Sequence, residues 1–208
     1  KTLTNLQLSF VAIALSFNVI ASPNLQLEDA NTDITDTASL QNGAKLFMNY
    51  CSGCHAISFM RYNRIGVDLG LSDADIEENL MFAGSKVGEN ITTAMPEKDA
   101  ANWFGGTPPD LSLVSRSKGT DWIYSYLKGF YPDESRLFGV NNHVLVNASM
   151  PDVLWSLREG QSEDAFDNDV RDITNFLDYV GEPAKLVRID LGKKVLFFLA
   201  ILFVLSYL

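Results

Sequence analysis

The residues best able to do chemistry stand in one run, Cys51-Ser52-Gly53-Cys54-His55, which holds both cysteines and one of the two histidines of the 208-residue chain. A C-x-x-C-H run is the attachment signature of c-type haem. At this spacing two thiols can add across the two vinyl groups of one porphyrin edge, and the histidine that follows can offer its imidazole nitrogen to the iron. Two other chemistries use similar residues. A thioredoxin-like C-x-x-C calls for a βαβ context, whereas the flanks here have helical spacing. A structural zinc site needs a second ligand pair, and His143 is distant with no cysteine beside it. The run therefore predicts one covalently attached haem c with His55 on its iron.

What opposes His55 decides the use. An open position suits ligand binding or catalysis, whereas a methionine raises the potential and suits electron transfer. Met48 and Met60 are too close to His55 in sequence to reach the other face, and Met81 falls in an expected helix. Met95 and Met150 each precede a proline in an irregular stretch. Met150 is the better placed, after a long wrapping region and before the last helix of the globular part. Met95, His143 and an open site stay as alternatives.

Helices must present these groups. Leu40, Ala44, Phe47, Met48 and Cys51 recur at helical spacing from Thr37, with Asp36 or Thr37 as cap, so the helix runs straight into the haem run. Ser72-Asp73-Ala74-Asp75 reads as a helix start, with Ile76, Leu80 and Ala83 as its stripe and Gly84 and Gly88 as its stop. Residues 85–119 and 131–162 read as loops rich in turn residues; stretches so long are expected to serve a function, here to wrap the macrocycle, with Trp103 and Phe104 packed against it. A helix is expected over Asp121–Phe130, with Trp122, Ile123, Tyr126 and Leu127 on one side. Another is expected over Asp169–Val180, stopped by Gly181 and Pro183. The fold expected is mainly α: a c-type cytochrome arrangement over residues 37–184, in which the helix before the haem run crosses the domain's last helix.

The flanks bear on compartment. Residues 1–21 read as a signal peptide, with an apolar core around Phe10–Leu15 and a cleavage site after Ala21; residues 22–36 read as a loose polar arm. From Val195 to the end the chain is almost wholly apolar, which predicts a membrane anchor over 189–208 whose end lies beyond Leu208. Between Ser22 and Ala184 there are 25 acidic against 11 basic residues, a net of −14. That balance argues against nucleic acid and suits a basic protein partner. Glu159, Glu163, Asp164, Asp167, Asp169 and Asp172 form the densest acidic run.

Further runs carry a family resemblance: Met60-Arg61-Tyr62, Asp68-Leu69-Gly70-Leu71, Trp103-Phe104-Gly105, Pro108-Pro109-Asp110-Leu111-Ser112, Asp121-Trp122-Ile123-Tyr124 and Met150-Pro151. Together with Cys51–His55 and in this order, they resemble the cytochrome c1 family over most of the chain. The resemblance implies thioether links at Cys51 and Cys54 and axial ligation by His55 and Met150. It implies that Pro108 and Pro109 line the haem pocket and that Trp122 and Leu127 pack on the haem. The family's propionate-binding arginine is replaced here by Lys118, a point charge that cannot make a bidentate fork, so Lys118 or Arg116 is expected at that edge. Implied too is a one-electron relay, with no catalytic residue of its own, from the Rieske iron–sulfur protein to a cytochrome c. The implied setting is the ubiquinol–cytochrome c reductase complex, beside cytochrome b, with the haem domain on the periplasmic side of a bacterial inner membrane. The alternatives are an independent membrane-anchored electron carrier and a haem protein with an open iron.

Overall fold

A computed structural model describes residues 26–207. The expected signal peptide, residues 1–21, and the first residues of the arm lie outside the described residues. The first described helix, α1, spans Thr37–Tyr50 and is capped by the Asp36 side chain, which accepts from the Ser39 amide at 3.1 Å. Its buried face includes Leu40, Ala44, Phe47 and Met48, the stripe that the spacing predicts. Strand β1, Ile57–Arg61, follows the haem run, and α2, Tyr62–Leu69, follows β1. Helix α3, Asp73–Asn79, starts in a capping box in which Ser72 and Asp75 satisfy each other's backbone amides. It ends before Leu80, well short of the glycines expected to stop it, and Ala83 is exposed beyond it.

The two stretches expected as loops carry short elements. Strand β2, Asn90–Ile91, pairs antiparallel with β1. Helices α4, Glu97–Phe104, and α5, Val114–Lys118, follow. After α6, Thr120–Lys128, strands β3, Phe130–Pro132, and β4, Val140–Asn142, form an antiparallel hairpin with Tyr131 opposite Asn141. Helix α7, Trp155–Gly160, leads into α8, Glu163–Gly181, which is longer at its start than the apolar spacing alone predicts because Ser162 caps it. Helix α9, Lys185–Tyr207, is the last described element.

Among the described residues, helices α1 and α8 make the most extensive contact, and α6 packs on α8 beside them. Gly43 is what lets α1 and α8 touch: a Cβ there would strike the Asp172 carbonyl and lie 2.8 Å from Phe176 Cβ. The rings of Phe47 and Phe176 meet at the same crossing, 5.7 Å apart. Around it lie Ile57, Ile65, Val170 and Ile173, all fully buried. The segment expected as a loose arm is irregular but tied down over its described part. The Glu28 amide donates to Ser125 Oγ, the Ala30 amide to Asp121 Oδ1, and Asn175 Nδ2 to the Asp33 carbonyl. Ala30 is fully buried.

The membrane anchor expected over 189–208 is a helix as far as it is described. Among the described residues, however, no helix is long and apolar enough to cross a membrane. The physical reason is Asp190, Lys193 and Lys194, which confine the uninterrupted apolar run of α9 to the residues from Val195 onward.

Candidate haem-binding site

The haem run sits in the turn that closes α1. Backbone hydrogen bonds from the Cys54 and His55 amides to the Cys51 carbonyl, 3.0 and 2.8 Å, coil the five residues tightly. The run is thereby presented on the end of a helix packed across α8. Burial, then the neighbouring Cys54, pushes the Cys51 thiol up to about 12, and burial raises the Cys54 thiol as well. Both therefore keep their protons at neutral pH. That is opposite to the depressed pKa of a reactive C-x-x-C thiolate, and it leaves two S–H groups of the kind that add across vinyl carbons.

Residues 109–112 are stitched to the stretch that follows the haem run. His55 Nδ1 lies 2.7 Å from the Pro109 carbonyl oxygen. Since a carbonyl only accepts, Nδ1 carries the proton and Nε2 keeps a free lone pair. The Leu111 amide donates to the Ala56 carbonyl at 2.8 Å, the Ser58 amide to Asp110 Oδ2 at 3.0 Å, and the Phe59 amide to Ser112 Oγ at 3.1 Å. Asp110 Oδ1 also accepts from the Ser112 amide at 2.7 Å. Pro108 and Pro109 have no amide proton to satisfy, so they can border a dry pocket without an orphaned donor. Burial lowers the His55 pKa, opposed by the bond to Pro109 and by the charge of Asp110. The imidazole is thus neutral at physiological pH, the form that binds a metal. An imidazole with its tautomer fixed by a backbone carbonyl, beside two protonated thiols, is a donor set that fits haem c.

The other expected site residues fall as follows. Met150 is half-buried against the core, as are Trp122, Val144 and Val153, while Leu127 is buried in it. Met48 and Met60 are fully enclosed, within α1 and β1. Met95 lies two residues beyond Thr93, whose hydroxyl donates to the Gly53 carbonyl at 2.8 Å, so this segment leans on the haem run itself. The exposed His143 stacks its ring on Tyr131 with centroids 4.3 Å apart. Trp122 stacks on Tyr126 at 5.0 Å. Lys118 Nζ stands 5.4 Å from the Trp122 ring centroid, whereas Arg116 pairs with Glu182 at 2.6 Å. Trp103 is largely exposed, and Phe104 meets Phe138 at 5.5 Å.

Sequence reading missed Asn142 and Arg158, which bracket Met150. Asn142 is fully buried, and its side chain bonds to α6 and to the chain ahead of Met150; Arg158 pairs with Asp152 just after it. Neither lies on an apolar stripe. The adjacent pair Asn141-Asn142 between two hydrophobic runs was the one available sign.

A mainly helical domain that carries C-x-x-C-H on the end of one helix, with that helix crossed by another late in the chain, has the organisation of a c-type cytochrome. The family model described as Cytochrome C1 family matches residues 28–208. The chain is 43% identical to cytochrome c1 of Allochromatium vinosum, over 96% of this chain and 93% of that protein. It is 39% identical to the ammonia monooxygenase gamma subunit of Nitrosomonas europaea, over 88% and 86% of the two chains. With cytochrome c1 of Rhodospirillum rubrum the identity is 28%, over 80% and 77%. The chain belongs to the cytochrome c1 family. That membership makes it an electron-transport protein of the cytochrome bc1 complex that binds haem c.

Proposed function

We propose that this chain relays single electrons from a Rieske iron–sulfur protein to a cytochrome c, working beside cytochrome b. The carrying observation is the hydrogen bond from His55 Nδ1 to the Pro109 carbonyl, which fixes the imidazole in the tautomer that ligates iron. When bound, haem c supplies reversible one-electron chemistry at its iron. The chain's residues supply the rest. Cys51 and Cys54 form the thioethers, and His55 is one axial ligand. Met150 is the other: it is half-buried against the same core as Trp122 and Leu127 and precedes a proline that restrains it. Pro108 and Pro109 wall the pocket, and Trp122 and Leu127 pack against the ring. Lys118 neutralises a propionate, because the guanidinium of Arg116 is engaged by Glu182. In this reading the exposed apolar end of α9 attaches the domain to a bacterial inner membrane, with the haem domain on its periplasmic side.

The test is spectroscopic and compositional. The oxidised protein should show the weak long-wavelength band of a methionine sulfur on ferric iron, and Met150→Leu should abolish it; a band that survives the substitution removes Met150 as the ligand. Mild detergent extraction should retain cytochrome b and an iron–sulfur subunit with the chain. Their loss would favour an independent membrane-anchored carrier.

A further inference from the structure

The stretch 143–154, which carries Met150, forms neither helix nor strand, yet it is fastened on both sides of the methionine. Upstream, Asn142 Nδ2 donates to the Tyr126 carbonyl at 2.8 Å, and Asn142 Oδ1 accepts from the Val144 and Leu145 amides at 2.8 and 3.1 Å. Asn141 Oδ1 takes the Asn147 amide at 2.8 Å, while Asn147 itself holds a left-handed φ of 66° and receives Arg136 Nη2 on its carbonyl at 2.9 Å. Downstream, Asp152 pairs with Arg158, and its Oδ1 accepts from the Leu154 amide at 3.2 Å. The Arg158 guanidinium covers the Phe166 ring at 4.8 Å and points Nη2 at the Leu127 carbonyl, 3.4 Å away. The two fastenings thus meet at neighbouring carbonyls, Tyr126 and Leu127, in the last turn of α6. Carbonyls there lack the usual helical partner four residues on: the Tyr126 carbonyl takes only the Gly129 amide, at 3.2 Å, and keeps a second lone pair for a side-chain donor.

We propose that Asn142 and Arg158 are positioning residues that tie the Met150 segment, from both sides, to the end of α6 and so keep its thioether available as an iron ligand. The inference rests on the reading of Met150 as that ligand. A neutral thioether on an irregular segment stays in place only if the surrounding groups restrain it. Asn142, fully buried with both amide atoms bonded, is a costly group to keep in a core unless it holds something.

The experiment compares Asn142→Ala, Arg158→Leu and Arg158→Lys with Met150→Leu in the haem-loaded, membrane-extracted protein. The readouts are the long-wavelength band of the oxidised form, carbon monoxide affinity of the reduced form, midpoint potential and helical circular dichroism. Asn142→Ala and Arg158→Leu should keep the helical signal, weaken the band, lower the potential and tighten carbon monoxide binding by about tenfold. Arg158→Lys, which keeps a cation for Asp152, should recover much of the band. If Asn142→Ala fails to fold, Arg158→Leu decides, because its side chain is one-third exposed (32%). If both variants fold with band, potential and affinity unchanged while Met150→Leu abolishes the band, the positioning inference falls and the ligand reading stands. If Met150→Leu leaves the band intact, the ligand reading falls and takes the inference with it.

Discussion

Asp110 shows how a single carboxylate can hold the His55 side of this site together. Burial pushes its pKa up, but hydrogen bonds from Ser112 and Ser58 outweigh that and hold it below the usual carboxylate value. A depressed folded-state pKa adds stability that is fully present above the unfolded value, about 3.9 for an aspartate, and is lost as pH falls through the lower folded value. Asp110 should therefore steady the Pro109 segment, and with it the His55 tautomer, from neutrality down to mildly acid conditions. Thermal melting of the protein and of Asp110→Asn, followed from neutral to acid pH, should show a constant gap above about pH 5 that closes below about pH 4. A gap that widens in acid would contradict this account. Lys118 illustrates a different limit at the same scale. Its ammonium over Trp122 is a movable point charge that cannot make the bidentate fork of a guanidinium.

At the scale of elements, Gly43 is the position on which the architecture turns. An alanine there would push its Cβ into the α8 backbone at Asp172 and against Phe176. Overpacking of this kind costs about 1–3 kcal/mol, so Gly43→Ala should lower the urea midpoint of unfolding without changing the spectrum of bound haem in the folded fraction. An unchanged midpoint would mean that the crossing relaxes freely. The helices legible in the sequence, α1, α3, α6 and α8, combine an apolar stripe with a cap or a charged first turn, as at Asp36 and Ser72. Helices α2, α4, α5 and α7 were hidden because each is eight residues or shorter and, unlike the equally short α3, has no side-chain cap to announce its start. Two of them did carry an end signal: Gly70 and Gly105 adopt the left-handed conformation, φ 69° and 73°, that stops α2 and α4. In the site, the spacing of Cys51, Cys54 and His55 could be read directly. The stitching of residues 109–112 to 55–59 could not, since it joins side chains to backbone groups some fifty positions away that follow no sequence pattern.

For the whole molecule, the question is what the acidic surplus does, and the structure divides the densest acidic run in two. Asp167 is spent on Lys128, Asp169 on Asn42 and Gln161, and Asp172 on Ser39 and Asn42; all three are half-buried and belong to the packing of α8. Glu159, Glu163 and Asp164 are exposed, on α7 and the first turn of α8, a short distance along the chain from Arg158 and the Met150 segment. Glu163 and Asp164 also complement the dipole of α8, which predicts a stability loss of about 0.3–1 kcal/mol for each when neutralised. A role in steering a basic cytochrome c predicts something separate. The triple change Glu159→Gln, Glu163→Gln, Asp164→Asn should slow second-order reduction of a basic cytochrome c several-fold at low salt, a part of the roughly 10- to 1000-fold that electrostatic steering can supply. The slope of rate against ionic strength should flatten, because the attraction being removed is the one that salt screens. Reduction of a neutral small-molecule oxidant should stay unchanged, since neither ligation nor potential is touched. If the triple variant keeps the salt dependence of the parent while losing only stability, these three carboxylates serve the helix, and steering belongs to another part of the acidic surface.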